Sequence, residues 1–230
     1  MARLPRLSVS GLPHLVEHSG HNRQPVFTDE VDRAALRGFL REALAESGVA
    51  VHAYCLDAPR LLLLATPNEA EGLSRLIQRL ARRYTAWFNQ RHGRSGTIWS
   101  GRFRATVIDP GTEVVAAMRH IEADAALAGD ATAGAERRIS SAAHHLGLAH
   151  DMLVSDHERF WALGNTPFER HAVYRRLLEQ PLRDAERRRF DDAVRKGWAV
   201  GTDDFLARLR TQVARRVTPL PPGRPRMRGE

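Results

Sequence analysis

HAYCLDAPRLLLLATP, residues 52–67, decides the fold. Asp57-Ala58-Pro59 is turn chemistry, because proline presets its own φ and aspartate hydrogen-bonds back to nearby amides. The runs on either side, His52–Leu56 and Leu61–Leu64, are too short for helices. They predict two paired strands, and the second, with no polar residue among its leucines, predicts a buried one. The turn is also where a hairpin could have carried chemistry.

Outward from this hairpin the pattern alternates. His14–His18 reads as a first strand after Gly11-Leu12-Pro13. Thr28-Asp29-Glu30 offers a helix N-cap, and Val31, Ala35, Leu36, Phe39, Leu40, Ala43 and Leu44 follow at helical spacing up to Gly48. After Pro67-Asn68 a long helix is predicted over roughly 69–92, with Leu73, Leu76, Ile77, Leu80, Tyr84, Trp87 and Phe88 on one face and Gly93 at its end. Phe103–Ile108 is a further strand, and Thr112-Glu113 opens a third helix that closes near Gly129. The order β-α-β-β-α-β-α predicts an α+β fold: a ferredoxin-like antiparallel sheet with helices mainly on one side. Residues 1–130 form this unit. A small-residue linker at 131–135 leads into a helical C-terminal region, 131–214, with short helices at 140–147, 167–180, 181–196 and 202–214. Residues 215–230 are a proline-rich basic tail without apolar periodicity.

The chain has 230 residues, one cysteine (Cys55) and no apolar stretch near the roughly 20 residues that cross a bilayer. The lone cysteine excludes an internal disulfide, and the expected setting is cytoplasmic, without a membrane partner. The formal net charge is +8, and its placement matters more than its size. Between Gly72 and Ile108 there is no acidic residue, while Arg75, Arg79, Arg82, Arg83, Arg91, Arg94, Arg102 and Arg104 all fall there and account for the entire excess. Such a strip predicts a nucleic-acid partner, since guanidinium groups grip phosphate bidentately and release counterions. Trp99 and Phe103 are candidates to stack on an unpaired base, with core packing the alternative for Phe103. In the tail, Gly223-Arg224-Pro225-Arg226 has the extended form that lies along an A·T minor groove, which adds Arg224 and Arg226 to the candidate DNA contacts.

Metal ligation has little support in the spacing. His14, His18 and His21 fall on strand and turn, too far apart to share an ion. His120 and Glu122, two apart on a helix, point away from each other. The adjacent pair His144-His145 is no more convincing, and the reading expects no metal.

The chain resembles the IS200-like tyrosine transposases of the HUH type, and within them the branch associated with repetitive extragenic palindromes (REP). The resemblance is carried by Gly11–His14, Ser19–Phe27, His52-Ala53-Tyr54, Tyr84–Gly93, Trp99–Arg104, Gly201–Arg210 and the segments Arg215–Pro219 and Gly223–Arg226, in that order and spacing. It implies a stem-loop DNA endonuclease in which a histidine pair on a central strand holds a divalent metal such as Mg or Mn. A tyrosine on the helix after the sheet then forms a phosphotyrosine link. The resemblance puts the metal positions at Pro59 and Leu61 and the nucleophile position at His120. Metal ligands and nucleophile are thus both missing, and no catalytic residue or cofactor is expected. The expected function is binding of hairpin or single-stranded DNA, possibly repetitive palindromic elements, by a monomer without cleavage activity. Two rivals stand beside it: an active transposase using unorthodox residues, and a binder of structured RNA.

Overall fold

The computed structural model describes residues 6–128 and 139–219; the expected linker and the tail arginines Arg224 and Arg226 lie outside them. The hairpin forms as expected. Strands β2 (Val49–Asp57) and β3 (Arg60–Pro67) are joined by Ala58-Pro59, and Asp57 lies opposite Arg60. β1 (His14–Ser19) pairs with the other edge of β3, and β4 (Arg104–Val107) pairs with β1. Between them run α1 (Glu30–Ala45), whose cap Asp29 accepts from the Asp32 amide at 2.9 Å, and α2 (Gly72–Arg91). α3 (Val114–Ala128) completes the β-α-β-β-α-β-α order of an α+β fold.

A fifth strand, β5 (Ile139–Ser140), pairs with β2 and gives the antiparallel order β4-β1-β3-β2-β5. Two residues are too short to leave a period-2 pattern, so the sequence did not announce it. Five helices follow: α4 (Ala142–His145), α5 (Glu158–Trp161), α6 (Pro167–Glu179), α7 (Asp184–Lys196) and α8 (Asp203–Gln212). Of these only α5 falls outside the predicted segments. α6 starts with a complete capping box, Thr166 with Glu169, and α7 stops at Gly197 in the left-handed region.

The expectation of helices mainly on one side is corrected. Leu61, Leu63 and Ala65 of β3 pack with Val16 and with Leu36, Leu40, Leu76 and Leu80 of α1 and α2. Leu62 and Leu64 pack on the opposite face with Leu15, Cys55, Met118, Ile121, Phe160 and Phe190. Successive strand residues face opposite sides, so a central strand covered on both must be apolar throughout. That is why the leucine run shows no alternation. Replacing Leu63, fully buried, by alanine should lower the unfolding free energy by about 2–5 kcal/mol in a urea titration. Among the described residues no helix is long and apolar enough to cross a membrane.

Candidate nucleic-acid interface

Folding divides the arginine strip in two. On α2, Arg75 pairs with Glu69 at 2.7 Å, Arg79 with Glu46 and Arg83 with Glu42. Arg91 reaches Asp29 at 2.7 Å and also the buried Asp32. All of these carboxylates lie before Gly72 in sequence. α1, packed beside α2, brings Asp29, Asp32, Glu42 and Glu46 over, and Glu69 lies in the turn before α2, so the expectation of a strip without counter-charge is corrected for these four. The remaining four, Arg82, Arg94, Arg102 and Arg104, are exposed and form no ion pair among the described residues.

Arg102 and Arg104 open into a cleft where the sequence did not foresee company. Its cationic walls are Arg6, Arg102, Arg104, Arg195, Lys196 and Arg215, and among the described residues no carboxylate lines it. β4 lies against the C-terminal end of α7, and this supplies Arg195 and Lys196. Both also contact Asp192 on the rim, at 2.5 and 3.2 Å. Arg6 sits over the Phe103 ring at 3.5 Å and donates to Phe103 O and Ser74 Oγ. Arg215 donates to Gly197 O at 2.6 Å. Glu17, opposite Arg104 in register, is engaged by Arg60 at 3.4 Å. The only sequence signal for the added residues was the acid-free run that contains Arg215; the others meet through space alone.

The aromatic candidates are almost wholly buried. Trp99 is buried and stacks on His18 with ring centroids 4.2 Å apart, and Phe103 is buried beneath Arg6. Stacking on a base is therefore corrected for both.

On the α3 side of the sheet, Arg60 lies within 3.4 Å of Glu17 and Asp57 and 3.8 Å from Asp191 of α7. His120 of α3 is buried there, its Nε2 3.5 Å from Asp191 Oδ1 and its ring against Phe190 at 5.1 Å. The His120 contact, opposed by burial, holds the Asp191 carboxyl below its usual range, with Arg60 and Arg187 adding to it.

Residues 12–123 match the family described as "Transposase IS200 like". No curated protein matches the chain significantly. Among solved structures, a REP-associated tyrosine transposase bound to a REP hairpin is 14% identical, with a TM-score of 0.46 over 56% of this chain and 75% of that one. A candidate transposase from Deinococcus radiodurans R1 is 23% identical, with a TM-score of 0.36 over 47% of this chain and 87% of that one.

Within the matched residues, the pleat of the hairpin separates the two positions that the resemblance gives to the metal. Leu61 belongs to the α1/α2 layer and Pro59 lies in the turn; the β3 residues toward α3 are Arg60 and Leu62. Neither pair fits a cation. A guanidinium repels one, and proline and leucine side chains offer no lone pair.

The chain's three tyrosines are poor nucleophiles as well. Tyr54 donates to Asp151 at 2.5 Å, Tyr84 to Val26 O at 2.6 Å and Tyr174 to Glu122 at 2.6 Å, and each is at most 1% exposed. Burial, and for Tyr54 and Tyr174 also the carboxylate partner, raises all three phenols well above the usual range. A phenol that is buried, protonated and committed as a donor cannot attack phosphorus.

Proposed function

We propose that the protein binds hairpin or single-stranded DNA through the cleft formed by Arg6, Arg102, Arg104, Arg195, Lys196 and Arg215, and that it does not cut the strand it holds. The observation that carries this reading is the cleft itself: six cationic side chains from four separate segments facing one space, with no carboxylate on its walls among the described residues. Cations repel, and an anionic partner seated among them would relieve that repulsion; Asp192 on the rim meets only Arg195 and Lys196. Arg82 on α2 and Arg94 just past its end extend the basic surface, while Arg79, Arg83 and Arg91 join α2 to α1 and its caps, and Arg75 pairs with Glu69. The absence of cleavage follows from residue types: a guanidinium and a hydrocarbon where ligands would stand, and an imidazole held by Asp191 at the nucleophile position. The IS200-like resemblance makes a DNA stem-loop the first probe.

The test is fluorescence anisotropy with labelled DNA hairpins and single strands, run beside an RNA hairpin of the same sequence. With six phosphates neutralised on a single strand, the log–log salt slope should be about −4. A slope near zero would remove the binding reading, and preference for the RNA hairpin would favour the RNA rival. Incubation with Mg or Mn should leave the hairpin intact. Cut strands and a covalent protein–DNA adduct on a denaturing gel would restore the active-transposase reading.

A further inference from the structure

α4 and the loop that follows it carry a cluster used neither by the cleft nor by the α3 face of the sheet. His145 is fully buried. Its Nδ1 stands 2.8 Å from Glu122 Oε1, and Glu122 also accepts from Tyr174 Oη at 2.6 Å and from Ser141 Oγ. A carboxylate that receives two hydroxyl hydrogens takes the imidazole hydrogen too, which leaves the His145 Nε2 with a bare lone pair. That nitrogen has no hydrogen-bond partner among the described residues, yet it faces Asp156 Oδ1 at 3.6 Å. Two acceptors directed at each other in a buried place call for a positive charge between them. His144 Nε2 lies 3.3 Å from the same Asp156 oxygen, and the three ligand atoms all fall within 4.8 Å of one another. Ligands about 2.0–2.1 Å from a tetrahedral zinc ion are separated by roughly 3.3 Å.

We propose that His144, His145 and Asp156 bind one divalent transition-metal ion, zinc by preference. Two imidazole nitrogens and one carboxylate oxygen suit Zn²⁺ and its neighbours Co²⁺ and Ni²⁺ rather than Mg²⁺ or Ca²⁺. The supporting shell is in place. Glu122 orients His145 through Nδ1, the carboxylate–histidine–metal arrangement, and Trp161 Nε1 donates to Asp156 Oδ2 at 3.3 Å. His144 and Asp156 also line a groove with Gly147, His150, Arg170 and His171, which leaves a fourth corner open to solvent. The Asp151 amide donates to His144 Nδ1 at 3.1 Å, so without the ion His144 carries its hydrogen on Nε2. Binding moves that hydrogen to Nδ1 with no net proton change and frees the Asp151 amide. The ion then ties α4 to the loop before α5, a staple in the region that covers α3. The inference is independent of the DNA reading.

The test uses the full chain, stripped with a chelator and dialysed, then titrated with Zn²⁺ by calorimetry and with Co²⁺ by visible absorption. One ion per chain is expected, with tetrahedral Co²⁺ bands and a shift of the Asp151 amide resonance. Asp156→Asn and His144→Ala should each weaken binding at least tenfold, with circular dichroism checking the fold. His144 is only half-buried, so His144→Ala decides alone if Asp156→Asn does not fold. No binding by the wild type, or binding unchanged in the folded variants, overturns the proposal.

Discussion

Between pH 7 and pH 4.5 the protein should lose most of its stability. Burial lowers His14, His18 and His52 from 6.5 to about 4. The neutral forms of His14 and His52 are fully used. His14 donates from Nδ1 to Leu12 O at 2.7 Å and accepts the Val9 amide at 3.2 Å. His52 donates to Ser155 O at 2.7 Å and accepts from Thr66 Oγ1 at 2.8 Å. His18 is pressed against Trp99. Above pH 6.5 these rings are neutral both folded and unfolded, and they add no pH dependence. Between 6.5 and 4 the unfolded chain binds protons that the fold refuses, so stability falls as pH falls, and below 4 the loss is complete. Each ring then costs about 3 kcal/mol, and three together approach the 5–15 kcal/mol that holds a domain folded. His144, raised by Asp156 against burial, works in the opposite direction and offsets a part. Urea midpoints at pH 7.5, 6 and 5 measure the effect; midpoints that do not move would refute it. His18→Phe keeps a ring against Trp99 and should flatten the slope by up to about 1.4 kcal/mol per pH unit.

Removing Arg102 and Arg104 together should weaken hairpin binding about 100-fold at 0.1 M salt. Two charge-assisted hydrogen bonds to phosphate at about 1.5 kcal/mol or more each give that figure. The salt slope should shrink from about −4 to nearer −3. Removing Arg79 and Arg83 from the same strip of sequence should change affinity less than about threefold, because Glu46 and Glu42 already hold them. The contrast between the two pairs, read by anisotropy at matched salt, separates a located site from general basicity. Equal losses would count against the cleft.

The order of strands and helices was legible because it rests on local signals: the Asp57-Ala58-Pro59 turn, the Asp29 cap and the apolar period of α2. The leucine run announced burial but not that each face has its own cover, since what lies above a strand is set by distant segments. β5 was too short to show. The arginines were visible as a strip, but their ion pairs were not. Asp29, Glu42 and Glu46 lie 33 to 62 residues from the arginines they hold, and no count within a window reports that. For the same reason the cleft was half seen: Arg102 and Arg104 were named, while Arg6, Arg195 and Lys196 arrive from both ends of the chain. At the hairpin, the positions that the resemblance gives to the metal, Pro59 and Leu61, fall on the turn and on the α1/α2 side. Only the pleat, with Leu61 on one side and Leu62 on the other, fixes which residues face α3.

That second cover has a practical corollary. Tyr174, Phe190 and Val194 fill the same apolar layer as Leu62, Leu64 and Met118, and β5 finishes the edge of β2. Dissecting the polypeptide near residue 123, where the family match stops, would strip an oily wall bare and leave an edge strand hunting for company. Anyone cloning the piece alone should expect inclusion bodies, whereas 6–219 kept whole should behave as a single cooperative body.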